Sequence, residues 1–186
     1  NVLNTVESTV KQTERIKEHE EVFVFTEIFG CAEVGKKAIE SYFKYHTHKL
    51  HIFGTSEDFE ELGDLPQAAD VVYVGMPDSL AQLFKTGHQG TARLFAQLFC
   101  IESKIDNVIH FDSDVIFKQE CLSDIRSKFA EGYDIVGTRR CYLNNPAGIA
   151  VTADTPDAVS TYFWGMKRSV IPKGYTLDQI TDMFHG

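Results

Sequence analysis

Asp112 and Asp114 stand one residue apart in Val108-Ile109-His110-Phe111-Asp112-Ser113-Asp114-Val115-Ile116-Phe117, a run otherwise rich in apolar, β-branched and aromatic residues. Burying one unpaired carboxylate costs several kcal/mol, and burying two like charges costs more. The pair therefore belongs at a strand end, where water or a cation reaches it. In an open α/β sheet that carboxyl end is where ligands bind. The two acids offer oxygen atoms only, and no His or Cys stands beside them in a spacing that favours zinc. Carboxylate oxygens suit Mn²⁺ or Mg²⁺, ions that share their shell with phosphates and water. The expected contact is carboxylate to metal to diphosphate. The plainer alternative is a turn ending a strand, with Asp114 accepting backbone N–H groups.

The elements that must position these acids can be traced from the apolar spacing. Residues 107–111 form a short buried strand, and Val115-Ile116-Phe117 follows as a second short strand. Upstream, Val22-Phe23-Val24-Phe25-Thr26 is a buried strand. Residues 33–45 carry Val34, Ala38, Ile39, Tyr42 and Phe43 at helical intervals, and Leu50-His51-Ile52-Phe53-Gly54 is the next strand. That is a β–α–β unit, right-handed by default. Residues 56–62 make an acid-rich short helix, with Ser56 and Glu57 suited to its first turn. Val71-Val72-Tyr73-Val74-Gly75 is a third strand, and residues 77–84 and 91–103 are helices, the first opened by Pro77. A helix over 120–131, stopped by Gly132, precedes a strand at 134–138.

With these elements in place, HFDSDVIF resembles the DxD motif of GT-A-fold, nucleotide-sugar-dependent glycosyltransferases. The resemblance extends over residues 22–164: a first strand ending in Thr26-Glu27, a helix, and a strand ending in Gly54-Thr55. It implies an α/β, GT-A-like (Rossmann-like) single domain with a mixed, mostly parallel sheet flanked by helices. It implies that Asp112 and Asp114 hold Mn²⁺ or Mg²⁺, and that Thr26, Glu27, Ile28, Arg93, Asp112, Ser113 and Asp114 contact the donor. His88 and Thr91 are further candidates beside Arg93. Residues 155–165 resemble the acceptor-side segment, where Tyr162, Phe163 and Trp164 suit stacking on a sugar and equally suit a core. If the enzyme inverts, Asp157 or Asp154 is the candidate base. His185 is a candidate third metal ligand.

Other signals are negative or plain. No G-x-G-x-x-G follows the first strand, which disfavours a dinucleotide site, and there is no Walker A pattern. His46, His48 and His51 cluster, but a tetrahedral zinc site needs a fourth ligand and convergence; they are taken as surface and half-buried imidazoles. Arg139 and Arg140 could meet a phosphate or be solvated.

The chain has 186 residues, suited to one domain, with 43% hydrophobic residues and 14 Phe, enough for a core. A net charge of −9 without a basic patch argues against nucleic acid as partner. No apolar run approaches a membrane span. Residues 1–21 look like an amphipathic arm or stem, with residues 22–186 as the transferase domain. The non-Met start and the ending at 182–186 suggest a piece of something longer. Four cysteines without C-x-x-C, of which Cys100 and Cys121 look like small buried hydrophobes, lean with the missing signal peptide and sequon towards a cytoplasmic location.

The expected function is transfer of a sugar from a nucleotide-diphosphate donor, a UDP-sugar by default, to a hydroxyl of a glycan, protein or small molecule. The rivals are a nucleotidyltransferase and a non-catalytic binding or scaffold domain of the same fold.

Overall fold

The computed structural model describes residues 22–67, 69–76, 82, 105–139 and 159–167. Among them six strands and three helices run in the order β1 (Phe23–Glu27), α1 (Ala32–Tyr45), β2 (Leu50–Gly54), α2 (Ser56–Leu62), β3 (Val71–Gly75), β4 (Asn107–Phe111), α3 (Leu122–Ala130), β5 (Ile135–Arg139) and β6 (Val159–Lys167). The expected helices over 77–84 and 91–103 lie outside the described residues apart from Gln82, as does the arm at 1–21.

The strands form one sheet in the order β3-β2-β1-β4-β6-β5. The pairs β1 with β2, β2 with β3 and β1 with β4 are parallel. Strand β6 runs antiparallel between β4 and β5. The protein is thus α/β with a mixed, mostly parallel sheet, as the resemblance implied. The chain winds outward from β1 through β2 to β3, then crosses to the other side of β1 for β4. The crevice between the carboxyl ends of β1 and β4 is therefore the topological switch point, the usual ligand site of such sheets.

The two sheet faces differ. Val24, Ile52, Ile109, Phe111 and Phe163 pack with Ala38, Ile39 and Tyr42 of α1 and Ile125 and Phe129 of α3. The other face is aromatic: Phe23 stacks on His51 at 3.9 Å, and Phe25 lies 4.9 Å from His110 and 6.3 Å from Trp164. Phe163 and Trp164 are both buried within β6. Of the two readings given for this pair, sugar stacking or core, they take the core one; Tyr162 has no described side chain.

Two local expectations also change. Residues 115–117 are not a strand. The segment after β4 runs along α1 instead, held at three points. The Cys31 thiol lies 3.2 Å from the Ser113 hydroxyl, the Phe117 N–H donates to Ser41 Oγ at 2.9 Å, and the Cys121 N–H donates to His46 Nε2 at 3.2 Å. Val34, expected on the buried face of α1, is 45% exposed, and Gly35 is buried in its stead. A Cβ at position 35 would sit 2.6 Å from Ile28 Cγ2, so only glycine lets α1 approach the end of β1 this closely.

The helix ends follow their sequence signals. Thr55 caps α2 by a capping box with Asp58. Gly132, with φ 101°, follows the C-cap of α3, where a left-handed residue stops a helix.

Candidate functional site

Strand β1 delivers Glu27 to the switch point, and β4 delivers His110 and Asp112. The register pairs Phe25 with His110 across these parallel strands. His110 and Asp112, two residues apart at the strand end, share a side, and Glu27 stands two residues beyond Phe25 on the same side. The three polar side chains meet there. His110 Nε2 lies 2.7 Å from Glu27 Oε2 and 3.8 Å from Asp112 Oδ1. One ligand atom from each lies within 4.8 Å of the others.

A carboxylate only accepts, so Nε2 of the imidazole carries the proton shared with Glu27. The His110 side chain is fully buried between Phe25 and Trp164, whereas 19% of the Glu27 side chain and 28% of the Asp112 side chain reach solvent. The arrangement is a buried imidazole floor beneath two carboxylates that open outward. His110 Nδ1 has no hydrogen-bond partner among the described residues.

The turn after β4 is closed by its backbone, the Val115 N–H donating to Asp112 O at 3.0 Å. Ser113 touches Cys31, and Asp114 is exposed in the turn. Burial pushes the Cys31 thiol up, and the nearby charges of Glu27, Asp58 and Asp114 push it further against the opposing Ser113 contact. Several carboxylates thus shape the potential at this edge, which favours a cation.

The other candidates are distributed as follows. Thr26 is fully buried at the end of β1, and its Oγ1 has no partner among the described residues. Ile28 is fully buried in the core, its N–H donating to Phe53 O at 3.0 Å. Neither side chain faces the crevice openly, in contrast to Glu27. His88, Thr91, Arg93, Asp154, Asp157 and His185 lie outside the described residues.

His110 was missed as a site residue: no His was expected beside the acids in a spacing that favours zinc, yet His110 Nε2 lies 3.8 Å from Asp112 Oδ1. Its signal was present: His110 and Asp112 are two apart at a strand end, so their side chains fall on one face. The triplet His46, His48 and His51 is engaged elsewhere. His46 Nδ1 donates to Tyr42 O at 2.9 Å, His48 Nε2 meets Val22 O at 2.8 Å, and His51 Nδ1 meets Val24 O at 3.2 Å.

No protein-family model matches the chain, and no curated protein matches it in sequence. Among solved structures it is similar to the glycosyltransferase GlyE of Streptococcus pneumoniae TIGR4, at 17% identity and a TM-score of 0.48 over 80% of this chain. The alignment spans 34% of GlyE. It is also similar to A197 from STIV, at 15% identity and a TM-score of 0.45, covering 84% of this chain and 69% of that one. The fold class of this protein is read from its own strand order. Among the described residues no helix is long and apolar enough to cross a membrane.

Proposed function

We propose that the chain is the catalytic part of a metal-dependent glycosyltransferase. It moves a sugar from a nucleotide-diphosphate donor, a UDP-sugar by default, to a hydroxyl of a glycan, protein or small molecule. The observation that carries this reading is the convergence of Glu27, His110 and Asp112 on the crevice between β1 and β4. The turn after β4 also carries Asp114, which is exposed.

The donor set fits a divalent cation, because carboxylate oxygens and an imidazole nitrogen converge on one partly open point. Asp112 and Asp114 are the residues that would hold Mn²⁺ or Mg²⁺, with His185 as a further candidate. A cation bound there supplies counter-charge to the leaving nucleotide diphosphate. The chain's own residues do the rest. The end of β1 lines the donor through Glu27 and the main chain of residues 26–28, because the Thr26 and Ile28 side chains are buried. Ser113 stays seated on Cys31 and keeps the turn in place. Arg93 is the proposed contact to the diphosphate. The acceptor hydroxyl attacks the anomeric carbon as the bond to the diphosphate oxygen breaks, and Asp157 or Asp154 takes the hydroxyl proton if the configuration inverts.

A thermal-shift series with Mn²⁺ alone, and with Mn²⁺ plus UDP, GDP, CDP or ADP, tests this. At 100 times Kd a ligand adds about 2.7 kcal/mol, or roughly 5–10 °C for a chain of this size. A shift with one nucleoside diphosphate that requires metal is expected, followed by donor turnover that EDTA abolishes. A larger shift with a nucleoside triphosphate favours the nucleotidyltransferase. No shift with any nucleotide leaves a binding or scaffold domain.

A further inference from the structure

Glu27 and His110 do more than pair with each other. We infer that Glu27 Oε2 and His110 Nε2 join Asp112 Oδ1 as direct ligands of a single cation, forming a mixed nitrogen-and-oxygen shell that selects Mn²⁺ or Co²⁺ over Mg²⁺. The inference rests on the cation-binding part of the reading above and is independent of what is transferred.

Geometry comes first. Ligands about 2.1 Å from one ion and at right angles to each other stand about 3 Å apart. The observed separations of 2.7 Å and 3.8 Å from His110 Nε2 bracket that spacing. The three atoms come from two adjacent strand ends, so rigid backbone holds them.

The second observation is the cost of His110. A residue sealed between Phe25 and Trp164 would serve the core better as Phe or Leu. Instead the fold buries an imidazole whose Nε2 is turned to two carboxylates, at 2.7 Å and 3.8 Å. Bonding to Glu27 alone does not call for a buried imidazole, because Glu27 is partly exposed and could be met by water. A ligand role accounts for the direction of Nε2. On binding, Nε2 turns its lone pair to the cation and the ring proton moves to Nδ1, so the imidazole stays neutral.

The chemistry of the set then determines selectivity. Mg²⁺ prefers an all-oxygen octahedron rich in water, whereas imidazole nitrogen suits transition metals. A DxD turn acting through oxygens alone would not discriminate in this way.

The test uses the whole chain without nucleotide. Mn²⁺, Co²⁺ and Mg²⁺ are titrated separately, and the Mn²⁺ complex is measured by pulsed EPR for coupling to a directly bound ¹⁴N nucleus. The expected result is an imidazole ¹⁴N coupling, Mn²⁺ bound at least about tenfold more tightly than Mg²⁺, and loss of the coupling in His110→Gln. Glu27→Gln should weaken Mn²⁺ by about 10–100-fold. Should His110→Gln fail to fold, the wild-type spectrum and Glu27→Gln decide. A Mn²⁺ complex without ¹⁴N coupling, equal affinity for Mg²⁺, or unchanged affinity in Glu27→Gln overturns the inference. If nitrogen-bound Mn²⁺ is found but no nucleotide shifts the melt, only the transferase reading fails. If Mg²⁺ alone supports donor binding without nitrogen coordination, only this inference fails.

Discussion

The carboxylate of Asp58 accepts the Gly30 N–H at 2.8 Å, tying the turn after β1 to the first turn of α2. The same carboxylate accepts the N–H and the hydroxyl of Thr55 at 2.8 Å and 2.7 Å. One buried acid thus fixes two loops at the edge where Glu27 emerges.

Asp58→Ala removes all three bonds and leaves donors buried beside an empty volume. With about 1–3 kcal/mol for each buried group left unpaired and a lost helix cap, the expected destabilisation is roughly 2–4 kcal/mol. Urea denaturation of both proteins measures it, and a loss below about 1 kcal/mol contradicts the role given to Asp58.

Gly35→Ala tests the close approach of α1 to β1. The added methyl meets Ile28 Cγ2 at 2.6 Å, and overpacking of this kind costs about 1–3 kcal/mol. The melting temperature should fall by several degrees, and because Ser113 lies next to the same glycine, Mn²⁺ affinity should fall with it. An unchanged melt would show that β1 and α1 have slack.

Asp114→Ala should behave in the opposite way. Asp114 is exposed in a turn closed by its backbone, and surface changes of this kind usually stay within about 0.5 kcal/mol. Metal-dependent donor binding should disappear while the melt is kept. Unfolding of this variant would make Asp114 a structural residue.

His46 should make stability depend on pH. Burial pushes its imidazole below the usual histidine range, against the opposing pull of the Tyr42 carbonyl bond and of Glu120. Nδ1 donates to Tyr42 O, and Nε2 accepts the Cys121 N–H, a bond that protonation of Nε2 would break. The unfolded chain takes up this proton near the ordinary value of about 6.5, before the folded protein does. The contribution is therefore full above that pH and is lost as pH falls through the folded value. Denaturation midpoints between about pH 5 and about pH 8 should fall more steeply on the acid side in the wild type than in His46→Asn. Parallel curves would remove His46 from the account.

Much of the scaffold was readable because its residues obey one period at a time. Leu50–Gly54, Val71–Gly75 and Asn107–Phe111 are strands where the apolar runs placed them. The misreadings have identifiable causes. Residues 115–117 look like a strand, yet the Phe117 N–H bonds to the Ser41 side chain and not to a neighbouring strand. Val34 fits the helical stripe, but the stripe is set by how near Ile28 comes, which only Gly35 permits. Asp112 was visible as a charge in an apolar run. His110 was passed over, because an imidazole passes for a core residue unless its two-residue spacing from Asp112 is weighed together with Glu27 on the adjacent strand.

The three contacts that hold residues 113–121 along α1 leave the turn that carries Asp112 and Asp114 little freedom of its own. The acids are set when the core forms, so a cation bound there would find them preorganised and need not gather them from a loose loop. Binding strength at this crevice is accordingly coupled to the packing of α1, and substitutions deep under that helix should retune the site without touching it.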